Sequence, residues 1–167
     1  MRRPTALAAL AIMALATTAV ARPAQAGADC SITSVGLNFG LYDLASIQPD
    51  DVAATVTVTC VYVAPGATNV SYTLAFSSGL YGTDAMNRRL GSSAGRLEYN
   101  VFTDSARSHV WGTGSSGTVV ASGSMTVGPG VGNGTRTATH TVYGRMPAMQ
   151  DAPPGDYLDS LVVTLAW

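Results

Sequence analysis

Val52-Ala53-Ala54-Thr55-Val56-Thr57-Val58-Thr59-Cys60-Val61-Tyr62-Val63 decides the fold class. Val52, Ala54, Val56, Val58, Cys60 and Tyr62 share one parity; Thr55, Thr57 and Thr59 share the other. Side chains alternate across a strand. The stretch therefore predicts a strand with an apolar face on a core and a threonine face towards water. Residues 70–76 repeat the pattern, with Val70, Tyr72, Leu74 and Phe76 inward and Ser71 and Thr73 outward. Leu97, Tyr99 and Val101 oppose Arg96, Glu98 and Asn100 in a third strand. Residues 118–127, 136–146 and 157–167 read as three more, and 32–39 as a weaker one near the start. Gly128-Pro129-Gly130-Val131-Gly132-Asn133-Gly134 reads as a loop, and Pro153-Pro154-Gly155-Asp156 as a turn. No stretch has a helical period. About seven short strands at this spacing predict an all-β, immunoglobulin-like antiparallel sandwich.

The start of the chain reads differently. Arg2 and Arg3 precede an apolar run over 6–21, followed by Ala24-Gln25-Ala26. A short basic region, an apolar core and small residues before a cut are the marks of a secretory signal peptide. Residues 1–26 are therefore expected to be removed after Ala26, leaving 27–167 as one domain, with the leader outside the fold. Asp29, directly before Cys30, argues against lipidation of that cysteine. No later stretch is apolar for long enough to span a bilayer, so no membrane contact is expected after cleavage. The chain carries nine basic and ten acidic residues. Three of the nine, Arg2, Arg3 and Arg22, leave with the leader, and the remaining mildly acidic surface argues against nucleic acid as a partner. Cys30 and Cys60 in an exported chain predict one disulfide. Their spacing fits neither CxxC nor a zinc pattern.

Several stretches, in order, resemble the spore coat protein U domain family. These are Cys30-Ser31-Ile32 with Leu37-Asn38-Phe39-Gly40-Leu41-Tyr42; Val56-Thr57-Val58-Thr59-Cys60; and Leu97-Glu98-Tyr99-Asn100-Val101-Phe102-Thr103-Asp104 followed by Trp111-Gly112. Val142-Tyr143-Gly144-Arg145-Met146-Pro147 and Gly155-Asp156-Tyr157-Leu158-Asp159-Ser160-Leu161 complete the set. The resemblance implies a non-enzymatic, pilin-like sandwich lacking one strand. It implies a subunit of an archaic chaperone–usher pilus, exported to the periplasm and then the cell surface, acting in adhesion or biofilm formation. Its implied partners are a periplasmic pilus chaperone, an outer-membrane usher and neighbouring pilin subunits, each reached by strand donation at an open sheet edge. On that reading Leu161, Val163, Leu165 and Trp167 line the groove that takes the donor, and Tyr62, Tyr72 and Tyr99 are core or groove-wall residues. Only Gly27, Ala28 and Asp29 would stand before Cys30, too few for a donor strand. That predicts a terminal or tip subunit. The rival reading is a stand-alone spore-coat or extracellular-matrix protein with a self-complete sandwich.

Other motifs carry less. Gly112-Thr113-Gly114-Ser115-Ser116-Gly117 matches GxGxxG, but strand-forming Thr118-Val119-Val120 follows instead of a helix, so a hairpin loop is expected. His109 and His140 sit in no catalytic or metal-ligand pattern, and no cofactor is expected. Asp43, Asp50 and Asp51, and Asp156 with Asp159, read as turn and solvation chemistry rather than a calcium site. Arg88, Arg89 and Arg96 are expected to pair with Glu98 or Asp84. A secreted enzyme or sugar-binding domain would need converging carboxylates or an aromatic platform, and neither is legible.

Overall fold

The computed structural model describes the backbone of residues 9–16 and all atoms of residues 27–63 and 68–167. Ten strands are present among them: β1 Ala9–Ala16, β2 Ala28–Ser34, β3 Asn38–Tyr42, β4 Asp50–Tyr62, β5 Thr68–Phe76, β6 Arg88–Gly91, β7 Arg96–Phe102, β8 Ala121–Val127, β9 Thr135–Met146 and β10 Asp156–Ala166. The hydrogen-bonded order is β2-β4-β9-β7-β6-β10-β1-β3, with a branch from β10 through β5 to β8. The described segments of the expected leader contribute β1; residues 1–8 and 17–26, with the expected cleavage site, lie outside the described residues.

β4 is the organising strand. Ala54, Val56, Val58 and Cys60 are buried, while Thr55 is exposed and Thr57 and Thr59 are half-buried, as the alternation requires. It pairs antiparallel with β2 on one side and with β9 along nearly its whole length on the other. Threonines meet threonines across the outer face, Thr55 opposite Thr141, Thr57 opposite Thr139 and Thr59 opposite Thr137. Such cross-strand pairs fit a pleated, half-wet surface well. On the inner face Cys30 lies directly opposite Cys60. The two form a disulfide across a Cα separation of 4.1 Å, and both are buried.

The core closes around Trp111, which is fully buried. Its indole N–H donates to the Leu74 carbonyl at 2.9 Å, and Phe76 meets it edge-on at 4.9 Å. A buried indole satisfied in this way keeps its large apolar contribution without an orphan donor. His140 points inward from β9 and shares a 2.9 Å hydrogen bond with the Tyr72 hydroxyl; burial lowers its pKa. Gly144 of β9 has a steric task. A Cβ there would meet Val52 Cγ2 at 2.9 Å and Phe39 Cζ at 3.0 Å. Its bare backbone lets Phe39 of β3 settle over the β4–β9 ladder.

Several boundaries differ from the sequence reading. The weak strand over 32–39 is two, β2 and β3, broken at 35–37. The strand expected over 118–127 begins only at Ala121, because Thr118 folds back: its hydroxyl donates to the Ser115 carbonyl and accepts from the Gly114 N–H. The GxGxxG stretch is a loop, with Gly114, Ser116 and Gly117 at positive φ. β6 has no counterpart in the reading. Removing the disulfide by replacing Cys30 and Cys60 with alanine is expected to lower stability by about 3–4 kcal/mol, read from the urea midpoint of the full chain; an unchanged midpoint would contradict the staple.

Candidate strand-acceptor site

β10 carries the site. Its inward positions alternate strictly: Tyr157, Asp159, Leu161, Val163 and Leu165 are buried, while Leu158 and Thr164 are exposed. On one side it pairs first with β6, at Leu158 opposite Gly91, and then with β5 from Val163 to Ala166. Ser77 bridges the changeover: its N–H donates to the Val162 carbonyl at 3.0 Å and its Oγ accepts from the Val162 N–H at 2.9 Å. The opposite side of β10, from Asp156 to Val162, is filled by β1, which runs parallel to it. β1 in turn pairs antiparallel with β3. The place between β10 and β3 is therefore a slot one strand wide.

The four residues proposed from the sequence to line a groove fall in different parts of this edge. Leu161 lies in the stretch that faces β1 in register. Val163 and Leu165 lie in the stretch paired with β5, opposite Phe76 and Leu74. Trp167 stands past the strand end, half-buried, beside Ser71, Thr73 and Ser124. Tyr72 and Tyr99 are buried in the core, and Tyr62 is half-buried against it.

Polar contacts hold both walls. Asp159 is buried on β10, not solvated at a turn. One carboxylate oxygen accepts from the Tyr99 hydroxyl at 2.7 Å. The other accepts from the N–H groups of Leu80 and Ser160, at 2.7 and 2.8 Å. Burial, reinforced by the Asp159 charge and hydrogen bond, pushes the Tyr99 phenol far up, so it remains a donor. Beside it Arg88, expected to pair with an acid, is instead buried on β6 and donates to carbonyls. Its guanidinium reaches Ser77 O at 2.7 Å, Trp111 O at 2.8 Å and Asn100 Oδ1 at 2.6 Å. Burial brings its pKa down to about 10, which leaves it charged at neutral pH. Ser77 thus receives Arg88 on its carbonyl while its N–H and Oγ hold β10. Of the other two arginines, Arg89 pairs with Glu98 at 3.3 Å, and Arg96 stacks over the Tyr81 ring at 4.4 Å. On the far wall the Tyr42 hydroxyl, at the end of β3, donates to Pro147 O at 2.7 Å and accepts from the Gln150 N–H at 2.8 Å.

The expected acid clusters are held by cations and turns. Asp51 takes both arms of Arg145 at 2.7 Å and Arg107 at 3.1 Å, and the Arg145 hydrogen bond first of all lowers its pKa. Asp50 is raised, by burial above all. Among the described residues no group of three His, Cys, Asp or Glu side chains is placed to hold a metal ion.

Two of the family-like stretches, those on β3 and β10, thus flank one strand-wide slot. The family model of the Spore Coat Protein U domain matches residues 14–164. The chain belongs to the Spore Coat Protein U domain family. No curated protein matches it. This Spore Coat Protein U domain is similar in fold to a chain in the crystal structure of the CsuC–CsuE chaperone–tip adhesion subunit pre-assembly complex from archaic chaperone–usher Csu pili of Acinetobacter baumannii. The TM-score is 0.55 at 20% identity, over 84% of this chain and 40% of that one. The domain thus spans less than half the length of that relative.

Sequence reasoning overlooked the Tyr99–Asp159 pair, although parity alone puts Asp159 between Tyr157 and Leu161 on the inward face. Tyr99→Phe leaves a buried carboxylate one donor short and is expected to cost about 1–3 kcal/mol, measured by urea unfolding. A loss below the error of that measurement would show that the pair does not hold β10.

Proposed function

We propose that this protein is a structural, non-catalytic subunit of an archaic chaperone–usher surface fibre, and that the slot between β10 and β3 receives a strand from a partner. The observation that carries this reading is that β10 turns one face wholly into the core and takes a strand on each side, while the strand on its open side comes from the segment read as a removable leader. With 1–26 removed, the Asp156–Val162 edge of β10 and the facing edge of β3 lose their shared partner. Unpaired backbone beside an apolar core costs free energy and invites pairing with another chain. Strand addition satisfies both demands at once. A periplasmic chaperone would lend the strand first and a neighbouring subunit would supply it in the fibre, with the usher as the exit. Family membership and the likeness to a chain of a chaperone–subunit complex support the assignment.

Within such a fibre we place the protein at the end, where it accepts a strand and donates none. Ala28 and Asp29, ahead of Cys30, are already spent in β2, opposite Tyr62 and Val61. The Gly27 carbonyl is engaged by the Val63 N–H at 3.1 Å. A cut after Ala26 therefore leaves no free segment to offer. Adhesion or biofilm formation at the cell surface follows from that position.

Export of residues 27–167 to the periplasm, with and without the cognate chaperone, tests the reading. Recovery as a stable 1:1 complex only with the chaperone is the expected outcome. A soluble, cooperatively unfolding monomer without it would mean a self-complete sandwich and would move the assignment to a stand-alone coat or matrix protein.

A further inference from the structure

We infer that the protein's own leader is a built-in occupant of the acceptor slot, so that a chain which keeps residues 1–26 is capped against partner strands until it is cleaved. The inference rests on the acceptor reading above and adds how that site is controlled. Its basis is register. Leu10 through Ala16 stand opposite Asp156 through Val162 without interruption, in parallel. On the other side Ala9 to Ala11 stand opposite Tyr42 to Gly40, and after a one-residue shift Ile12 faces Asn38. The segment thus covers the β10 edge from its first residue to the Ser77 changeover, and most of β3.

Its composition suits the position. Ala9-Leu10-Ala11-Ile12-Met13-Ala14-Leu15-Ala16 has no charge, no glycine and no proline. Proline is nearly excluded from such an interior strand and glycine weakens one. Pro4 and Pro23 stand on either side of the segment in sequence. The same apolarity that suits a leader to the export machinery suits it to a slot whose floor is core.

Tethering sets the order of events. Residues 17–27 join β1 to β2 in sequence, so the strand acts within its own chain, at an effective concentration on the order of millimolar for a short tether. A partner strand arriving at cellular concentration competes poorly against it. Cleavage after Ala26 cuts that tether and leaves an eight-residue strand that must now compete as a free peptide. Removal of the leader is then the step that turns a closed sandwich into an acceptor.

The test uses the full chain, produced without export in an oxidising cytoplasm so that the Cys30–Cys60 disulfide forms and the leader is retained. Hydrogen exchange is followed at 10–16 and at 156–162, beside the same chain carrying Ala14→Pro, which removes a ladder donor opposite Ser160. In the unsubstituted chain the amides of 10–16 are expected to exchange on the order of a hundredfold more slowly than in the variant, and 156–162 to lose protection with them in the variant. Exchange of 10–16 at the unprotected rate in the unsubstituted chain overturns the inference, whatever the variant does. If 156–162 is protected in that case, the sandwich closes without any donor and the acceptor reading falls as well. If 156–162 is open or the chain aggregates, only the leader's role falls and the slot still awaits a partner. Should Ala14→Pro prevent folding, protection of 10–16 in the unsubstituted chain decides alone.

Discussion

The backbone of β10 must be paired on two sides at once, and the rest of the structure is arranged around that demand. A strand with one face wholly in the core leaves any unpaired N–H and C=O groups beside apolar packing, at a cost in free energy. One side is met within the domain, by β6, then Ser77, then β5. The other side is met by β1, from the segment whose sequence reads as a leader. On the proposed reading, the first side is supplied permanently and the second is left to a strand that can change.

Keeping such an edge ready needs walls that do not collapse when the occupant is exchanged. Two buried polar pairs brace β10: Asp159 with Tyr99, and Arg88 with Ser77, which in turn bonds Val162. A buried ionic group is weak evidence for stability, but its demanding geometry can select one arrangement over others. Here the arrangement selected is the position of β10. Tyr42 fixes β3 by tying it to the loop after β9, and Gly144 gives Phe39 the room to dock there. The family-like stretches around Tyr42, Tyr99, Gly144 and Asp159 are therefore parts of one construction, although they lie far apart in sequence.

The alternation in 52–63 was legible because β4 is a middle strand with one wet face, and two-residue periodicity is then unambiguous. The same logic located β5, β7, β9 and β10 to within a few residues. β6 escaped because its inward positions are Arg88 and Leu90, and a buried arginine reads as solvent-facing. Asp159 was misread for the opposite reason, since a carboxylate near Pro153-Pro154-Gly155 suggests a turn although its parity points inward. The slot itself was beyond periodicity. A strand that pairs with residues far along the chain leaves no local signature, and its apolar run satisfies the criteria for a leader equally well. Val163 and Leu165, expected to line a groove, are buried on the inward face of β10 in the stretch paired with β5; which strand each stretch pairs with is set by the Ser77 changeover, which no pattern in 157–167 announces.

The central claim is that a partner strand enters between β10 and β3. Leu158 is exposed on β10 beside that slot, and Thr139 is exposed on the outer face of β9. A photo-crosslinking residue placed at each position in turn, in the cells that make this protein, reports what lies against each surface. The account requires discrete adducts from position 158, first with a chaperone and then with a neighbouring subunit, and none of these from position 139. The absence of any adduct at 158, or the same adducts from both positions, would contradict it.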